Sequence, residues 1–155
     1  MLDVPRLIIG CGNRQRGDDA AGILAAERLR ALGIEALGIQ IKICSGEASE
    51  LMGLWSGADD VIVIDAVVTG SAPGVVHLWD AERPLRYGKA PGSTHGLGVA
   101  EALELARALE RLPAGMRIYG IEGRQFEIGS EVSEEVERGV GAVVQRIVSE
   151  ARRGG

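Results

Sequence analysis

The segment Asp60–Ala66, with the sequence DVIVIDA, constrains the fold of this chain more than any other stretch. Its β-branched apolar residues form an unbroken run, which is typical of a strand that other elements cover on both faces. Strands of that kind occur in parallel sheets that have helices packed on each side. The segment therefore predicts a central strand of an α/β protein.

Strand-like and helix-like segments alternate along the rest of the chain. The predicted strands are Arg6–Cys11, Ile39–Ile43, Asp60–Ala66, Val75–Trp79 and Arg117–Ile121. The predicted helices are Asp19–Leu32, Ala48–Trp55, Val99–Leu109 and a last helix that begins near Ser133 as its N-cap. Ala81–Gly92 is predicted to be irregular. The alternation predicts a three-layer α/β/α sandwich around a five-stranded, mostly parallel sheet.

The connection between the third and fourth strands sets the direction of the fourth strand. Thr69–Gly74 reads as a turn, and it is too short for a helical crossover. The fourth strand is therefore predicted to run antiparallel to the third. The length of 155 residues fits one domain with a sizeable core, so residues 1–155 are predicted to be a single domain.

Charge and cysteine usage limit the partners and the compartment that the sequence suggests. The net charge is −5 and there is no basic block, which disfavours nucleic acid or an anionic membrane as the main partner. The two cysteines form no CxxC pair and the N-terminus has no export-signal pattern, which favours reduced thiols in the cytoplasm. No apolar run approaches the roughly 20 residues of a membrane helix.

The loop Gly10–Gly22, with the sequence GCGNRQRGDDAAG, follows the first strand and resembles a phosphate-binding loop in its glycines. The third glycine position of a dinucleotide-binding G-x-G-x-x-G motif is occupied by Gln15. The acidic pair Asp18 and Asp19 would also repel a pyrophosphate. The loop therefore disfavours nucleotide binding, and no Walker motif occurs elsewhere in the chain.

Polar residues lie at predicted strand ends, where open α/β sheets bind their ligands. Asp18 and Asp19 follow the first strand, Asp65 ends the third, and His95 precedes the helix after the fourth. The 12 residues Ala81–Gly92 are long enough to return the chain to this edge. Two carboxylates and an imidazole form an incomplete shell for a divalent metal, or an acid–base site. Each residue alone also fits a cap or a turn.

Other residues near the predicted strand ends leave further alternatives open. Cys11 and Cys44 are better explained as small buried residues than as nucleophiles, although both fall near His95. Glu122, at the end of the fifth strand, fits either the crevice or a turn. Asn13 tolerates the unusual backbone that the first loop requires.

Four stretches of the chain resemble the hydrogenase maturation endopeptidases. They are IIGCGNRQRGDDAAG, VIVIDAVVTGSAPG, STHGLGVAEALELA and IYGIEGRQFEIGSEVSEEV, and together they extend from the first strand into the last helix. Enzymes of this family remove a C-terminal extension from the large-subunit precursor of nickel–iron hydrogenases. The resemblance implies that function here; the alternative is a non-catalytic module that binds nickel or the precursor on the same fold.

The resemblance also implies a fold and a set of metal-binding residues. The family's metal ligands correspond to Asp19, Asp65 and His95, with nickel supplied by the precursor and held weakly or not at all by the free enzyme. Asp19 is often glutamate in the family, and Gly123 stands where proline is frequent. The implied fold is phosphorylase/hydrolase-like, with the sheet order 2-1-3-5-4 and an antiparallel fourth strand. A monomer with the large-subunit precursor as its partner is the expected state.

Overall fold

The computed structural model describes residues 7–82 and 98–154. Strands and helices alternate through these residues, as the sequence predicts. The strands are β1 (Leu7–Cys11), β2 (Gln40–Cys44), β3 (Asp60–Val67), β4 (Val76–Asp80) and β5 (Gly115–Glu122). The α-helices are α1 (Ala21–Ala31), α2 (Ala48–Trp55), α3 (Val99–Ala108) and α4 (Glu134–Gly154). Two short 3-10 helices, Gly17–Ala20 and Ile34–Leu37, lie before and after α1.

The five strands form one sheet in the order β2-β1-β3-β5-β4. β1 pairs in parallel with β2 and β3, and β3 pairs in parallel with β5, whereas β4 runs antiparallel to β5. This arrangement confirms the predicted sheet order and the antiparallel fourth strand. β3, which contains the DVIVIDA segment, is the middle strand.

Helices cover both faces of the sheet and produce two hydrophobic cores. Ile62 and Ile64 of β3 face the core formed with α1 and α4. Val61 and Val63 face the core formed with α2 and α3. Alternate side chains of one strand thus enter different cores, which explains why its apolar run is unbroken. The predicted three-layer α/β/α sandwich is confirmed.

The boundaries of several elements differ from the sequence-based prediction. The helix predicted from Asp19 instead begins with a 3-10 turn, so Asp19 lies in Gly17–Ala20 and α1 starts at Ala21. β5 begins earlier than predicted, at Gly115, and includes Glu122. Arg6 and residues 83–92 of the predicted irregular segment lie outside the described residues. None of the helices within residues 7–82 and 98–154 is long and apolar enough to cross a membrane.

Gly22 allows the first turn of α1 to lie directly against the strand ends. A Cβ atom at this position would stand 2.2 Å from the carbonyl oxygen of Ile64 and 2.5 Å from that of Cys11. Both contacts are with backbone atoms of central strands, which cannot move without disturbing the sheet. The absence of a side chain at Gly22 therefore fixes how closely α1 approaches β1 and β3.

Gly22→Ala is expected to lower the free energy of unfolding by about 3 kcal/mol, because the added methyl group forces the helix away from the sheet. The matched control is Gly53→Ala in α2, where a Cβ atom meets nothing within 4 Å. That substitution is expected to raise stability by about 0.5–1 kcal/mol through helix propensity and chain entropy. Urea denaturation of both variants is the measurement, and equal stabilities would contradict the proposed close approach.

Candidate functional site

The candidate site lies at the edge of the sheet where the parallel strands β1, β3 and β5 end. Asp65 lies two residues before the end of β3, opposite Gly120 of β5. Asp19 comes from the 3-10 turn that follows β1. His95, the third residue predicted for this site, lies outside the described residues. The two aspartates are therefore the part of the predicted set whose surroundings the structure describes.

Asp65 is a partly buried carboxyl group close to a second carboxylate. Burial raises its pKa well above the usual range, and the negative charge of Asp19 raises it further. A hydrogen bond from the backbone N–H of Ala66 lowers the pKa but does not offset these effects. Two carboxylates that disfavour each other's ionised form are stabilised by a cation between them. Asp19 therefore lies close enough to Asp65 for its negative charge to raise the pKa of Asp65.

The position of Asp19 is fixed by its own loop. Its backbone carbonyl accepts a hydrogen bond from the Asn13 N–H at 3.2 Å, and a Cβ atom at Gly12 would lie 1.9 Å from the same carbonyl oxygen. Its carboxylate lies 3.9 Å from Nη1 of Arg16, a long ion pair. Glycine at position 12 (φ 145°) is therefore required for the loop to close over Asp19.

Asn13 helps to shape the same loop. Its Oδ1 accepts a hydrogen bond from the Gln15 N–H at 2.8 Å, which is a local Asx turn. The left-handed backbone conformations of the loop fall on Gly12 and Gly17, and Asn13 is not among the described non-glycine residues with positive φ. The unusual backbone expected at Asn13 is thus carried by its glycine neighbours.

Asp18 is fully buried and points into the protein. One carboxylate oxygen accepts hydrogen bonds from the backbone N–H groups of Arg124 (2.9 Å) and Gln125 (3.0 Å). The other accepts from the N–H (2.7 Å) and the hydroxyl (3.0 Å) of Ser133. The Ser133 side chain, expected to cap α4, thus donates its hydroxyl hydrogen bond to Asp18. We call this set of bonds the Asp18 clamp; it joins the first loop to the segment between β5 and α4.

Glu122 is only 2% exposed and holds the turn between β3 and β4. Its carboxylate accepts hydrogen bonds from the Thr69 N–H (2.7 Å), the Thr69 hydroxyl (2.6 Å) and Gly70 N–H (3.3 Å), and Nε2 of His77 lies 3.1 Å away. Burial alone would raise the pKa of Glu122, but these hydrogen bonds outweigh it and lower the pKa below its usual value. Of the two alternatives left by the sequence, these contacts favour the turn.

Glu122→Gln is expected to destabilise the protein by about 1–3 kcal/mol at pH 7. The side-chain N–H₂ group of glutamine would face the N–H and hydroxyl groups of Thr69 and Gly70, which donate to the carboxylate in the wild type. The lowered pKa in the folded state means that the ionised Glu122 stabilises the fold above the unfolded-state pKa, near 4.3. This contribution is lost as the pH falls through the lower folded-state value. The difference in unfolding free energy between wild type and variant should therefore shrink below pH 4.3. A constant difference from pH 7 to pH 3 would contradict this interpretation.

Cys11 and Cys44 face each other across the first two strands. Both are buried free thiols, and their Sγ atoms lie 3.5 Å apart. The hydrogen bond with Cys44, together with burial, raises the pKa of the Cys11 thiol well above its usual value. A buried thiol that resists ionisation is a poor nucleophile. The environment of Cys11 therefore favours a packing role for this residue.

Within residues 7–82 and 98–154, no three histidine, cysteine, aspartate or glutamate side chains come together as a cation site. Two carboxylates alone form an incomplete shell for a divalent cation, so any cation at Asp19 and Asp65 would require donors from elsewhere. Both of these acids are predicted as site residues from their places at strand ends, and that prediction stands as a prediction. Position at a strand end alone does not separate Asp18 from Asp19, since the hydrogen-bond partners of Asp18 lie more than 100 residues away; only the family resemblance selects Asp19.

Comparisons with known proteins agree on one group. The family model described as hydrogenase maturation protease, HycI, matches residues 45–150. Protein FrxA of Pyrococcus furiosus is 33% identical over 143 residues, which cover 89% of this chain and 98% of FrxA. The hydrogenase expression/formation protein HupD of Thiocapsa roseopersicina is 29% identical over 117 residues, 75% of this chain but only 53% of HupD. The solved structure of the [NiFe] hydrogenase maturation protease HybD from Thermococcus kodakarensis is similar at a TM-score of 0.71 and 25% identity, covering 96% of this chain and 99% of HybD.

Proposed function

The chain belongs to the hydrogenase maturation protease family, and from this membership we propose that it is an endopeptidase for a [NiFe]-hydrogenase large-subunit precursor. The proposed reaction removes the C-terminal extension of a precursor that already contains nickel. The observation that carries the proposal is the acid pair Asp19 and Asp65 at the carboxyl edge of the sheet. A partly buried carboxyl beside a second one is a costly arrangement without a cation to balance it.

The nickel of the precursor is part of the substrate in this proposal. Asp19 and Asp65 approach the ion with their carboxylate oxygens, and His95 is the third proposed ligand on the strength of its sequence motif. Two carboxylates and an imidazole suit a divalent transition metal and leave positions for the donors with which the precursor already holds it. The acid pair therefore recognises a precursor that has received its metal.

The proposed chemistry is hydrolysis of one peptide bond beside the acid pair. A water oxygen bonds to the scissile carbonyl carbon, the carbon–nitrogen bond breaks, and the proton released by the water passes to the departing amine. One carboxylate accepts and returns that proton as a general base and acid. In a second route the ion polarises the carbonyl or the water, and the carboxylates hold it in place.

The decisive experiment incubates the purified protein with the nickel-loaded precursor and measures the mass of the large subunit. Loss of the mass of the extension, seen with nickel-loaded but not with nickel-free precursor, is the expected result. Binding of the precursor without a mass change would instead support the non-catalytic maturation module. An intact precursor, under conditions in which another member of the family cleaves its own substrate, would refute the protease assignment.

A further inference from the structure

A cavity of 690 Å³ opens between the first loop and the segment that follows β5. Its walls include Arg16 from the first loop and Arg124, Phe126 and Ile128 from that segment. The volume falls within the range of about 300–1,000 Å³ that is typical of ligand sites. Asp65 and Glu122 are not among the residues that line this cavity. Asp19 contacts one of its lining residues, Arg16, through their ion pair.

The two walls of the cavity are tied together, so the cavity is preformed. The Asp18 N–H donates to the Gln125 carbonyl at 2.7 Å, and the Gly129 N–H donates to the Gln15 carbonyl at 2.8 Å. A Cβ atom at Gly17, whose φ is 55°, would stand 2.3 Å from Oγ of Ser130. The Asp18 clamp adds its bonds from the same two segments. A preformed site binds a ligand with little loss of conformational entropy in the residues that line it.

The side chains that line the cavity combine positive charge with apolar surface. Among the described residues that line the cavity, the two cations Arg16 and Arg124 outnumber the one anion, Glu127. Asp19 and Glu135 contact these arginines, at 3.9 and 3.4 Å. A guanidinium carries five N–H donors, and such groups commonly bind more than one acceptor. The Ile128 side chain is 80% exposed, which leaves an apolar surface for a ligand to cover. This combination suits an acidic group next to an apolar one.

Arg16 connects the cavity to the proposed catalytic edge. Its side chain is only 11% exposed, it lines the cavity, and its guanidinium lies 3.9 Å from the Asp19 carboxylate. A peptide residue held by Arg16 is therefore a near neighbour of the acid pair. An extended peptide advances about 3.3 Å per residue, so the scissile bond would fall within a few residues of the one in the cavity.

We propose that this cavity binds the segment of the precursor that adjoins the scissile bond. Arg16 and Arg124 hold a carboxylate of that segment, and Phe126 and Ile128 contact an apolar side chain beside it. The inference rests on the proposed function and deepens it, because it names an acidic and apolar peptide as the recognised class. Selection of the precursor then depends on the peptide as well as on the metal.

Binding of a fluorescent synthetic peptide that spans the cleavage site of the precursor tests the inference independently of cleavage. Arg124→Gln is suitable because the Arg124 side chain is 53% exposed and its loss should not unfold the protein. We expect Arg124→Gln to weaken binding about tenfold and Ile128→Ser to weaken it about threefold. The matched control is Arg28→Gln, which removes a partly exposed ion pair to Glu137 away from the cavity and should bind like wild type.

A second peptide, with its carboxylates replaced by amides, identifies the group that Arg124 contacts. It should bind weakly to wild type, and Arg124→Gln should weaken it little further, since the partner is already absent. No binding to wild type, or equal binding by wild type, Arg124→Gln and Ile128→Ser, would overturn the inference. Cleavage of the full precursor is measured separately: intact precursor together with the expected binding pattern would refute the protease function and leave the cavity assignment standing.

In the cleavage assay, Arg124→Gln should raise KM with little change in kcat, which is the signature of lost ground-state binding. A fall in kcat at unchanged KM would place Arg124 in the chemical step and contradict its assignment to peptide binding.

Discussion

Asp65→Asn is expected to abolish cleavage of the nickel-loaded precursor, by about 10³-fold or more, and at the same time to stabilise the protein at neutral pH. Activity is lost because asparagine neither binds a cation as a carboxylate does nor accepts the proton of the attacking water. Stability is gained because the substitution removes a partly buried carboxyl that lies near the charge of Asp19. Loss of function together with a gain in stability separates a site residue from a residue needed for folding.

The pH dependence of this gain follows from the raised pKa of Asp65. Ionised Asp65 is less favourable in the folded than in the unfolded chain, where the pKa of an aspartate is about 3.9. The resulting penalty is absent below that pH, grows as the pH rises towards the folded-state pKa, and is complete above it. The stability difference between Asp65→Asn and wild type should therefore increase with pH, as measured by thermal unfolding from pH 3 to pH 8.

The companion variant Asp19→Asn should also lose cleavage, and it should lower the pKa of Asp65 by removing the neighbouring charge. Asp59→Asn is the matched control, because Asp59 is an exposed carboxylate next to the opposite end of β3. It should retain full activity. Normal cleavage by both Asp19→Asn and Asp65→Asn would show that the acid pair is not the reaction centre.

Asp18→Asn is expected to lower the free energy of unfolding by about 3 kcal/mol, although it only replaces one side-chain oxygen by an amide nitrogen. The carboxylate oxygens of Asp18 accept bonds from three backbone N–H groups and from the Ser133 hydroxyl. An asparagine amide turns one acceptor into a donor, which leaves buried N–H groups facing another N–H group. For a chain of this size the loss corresponds to a fall in Tm of about 6–12 °C.

Ser133→Ala is the graded control for the Asp18 clamp, because it removes one hydroxyl bond and leaves the carboxylate with its backbone donors. We expect it to cost about 1 kcal/mol. Calorimetry of wild type and both variants gives the comparison. A change of Tm below 2 °C for Asp18→Asn would show that the buried bonds contribute little to folding.

The sequence predicted the layers of this fold because burial determines hydrophobic patterns. DVIVIDA supplies side chains to both cores, and its unbroken apolar run indicates that both faces of the strand are buried. The antiparallel direction of β4 followed from the short turn Thr69–Gly74, which admits no crossover. Features that depend on a single local pattern were thus predictable before the structure.

The finer features of the site were not predictable, because they depend on contacts between distant segments. Asp18 and Asp19 are adjacent acids in one 3-10 turn, yet one faces Ser133 and the other faces the neighbourhood of Asp65. Glu122 contacts Thr69 and Gly70, 53 and 52 residues earlier in the chain. No local pattern reports such pairings. The cavity beside Arg16 is likewise formed by two loops without regular spacing.

The Asp18 clamp has a consequence for the order in which the protein becomes functional during synthesis. Its bonds join residues that are 106 to 115 positions apart, and the last of them, Ser133, precedes α4. Contacts of such separation form late, after the intervening strands have paired. On the ribosome, the Asp18 clamp therefore remains incomplete until Ser133 has emerged. A nascent or truncated chain that lacks this segment would lack both the clamp and α4, which closes one of the two cores, so partial products would not act on the precursor.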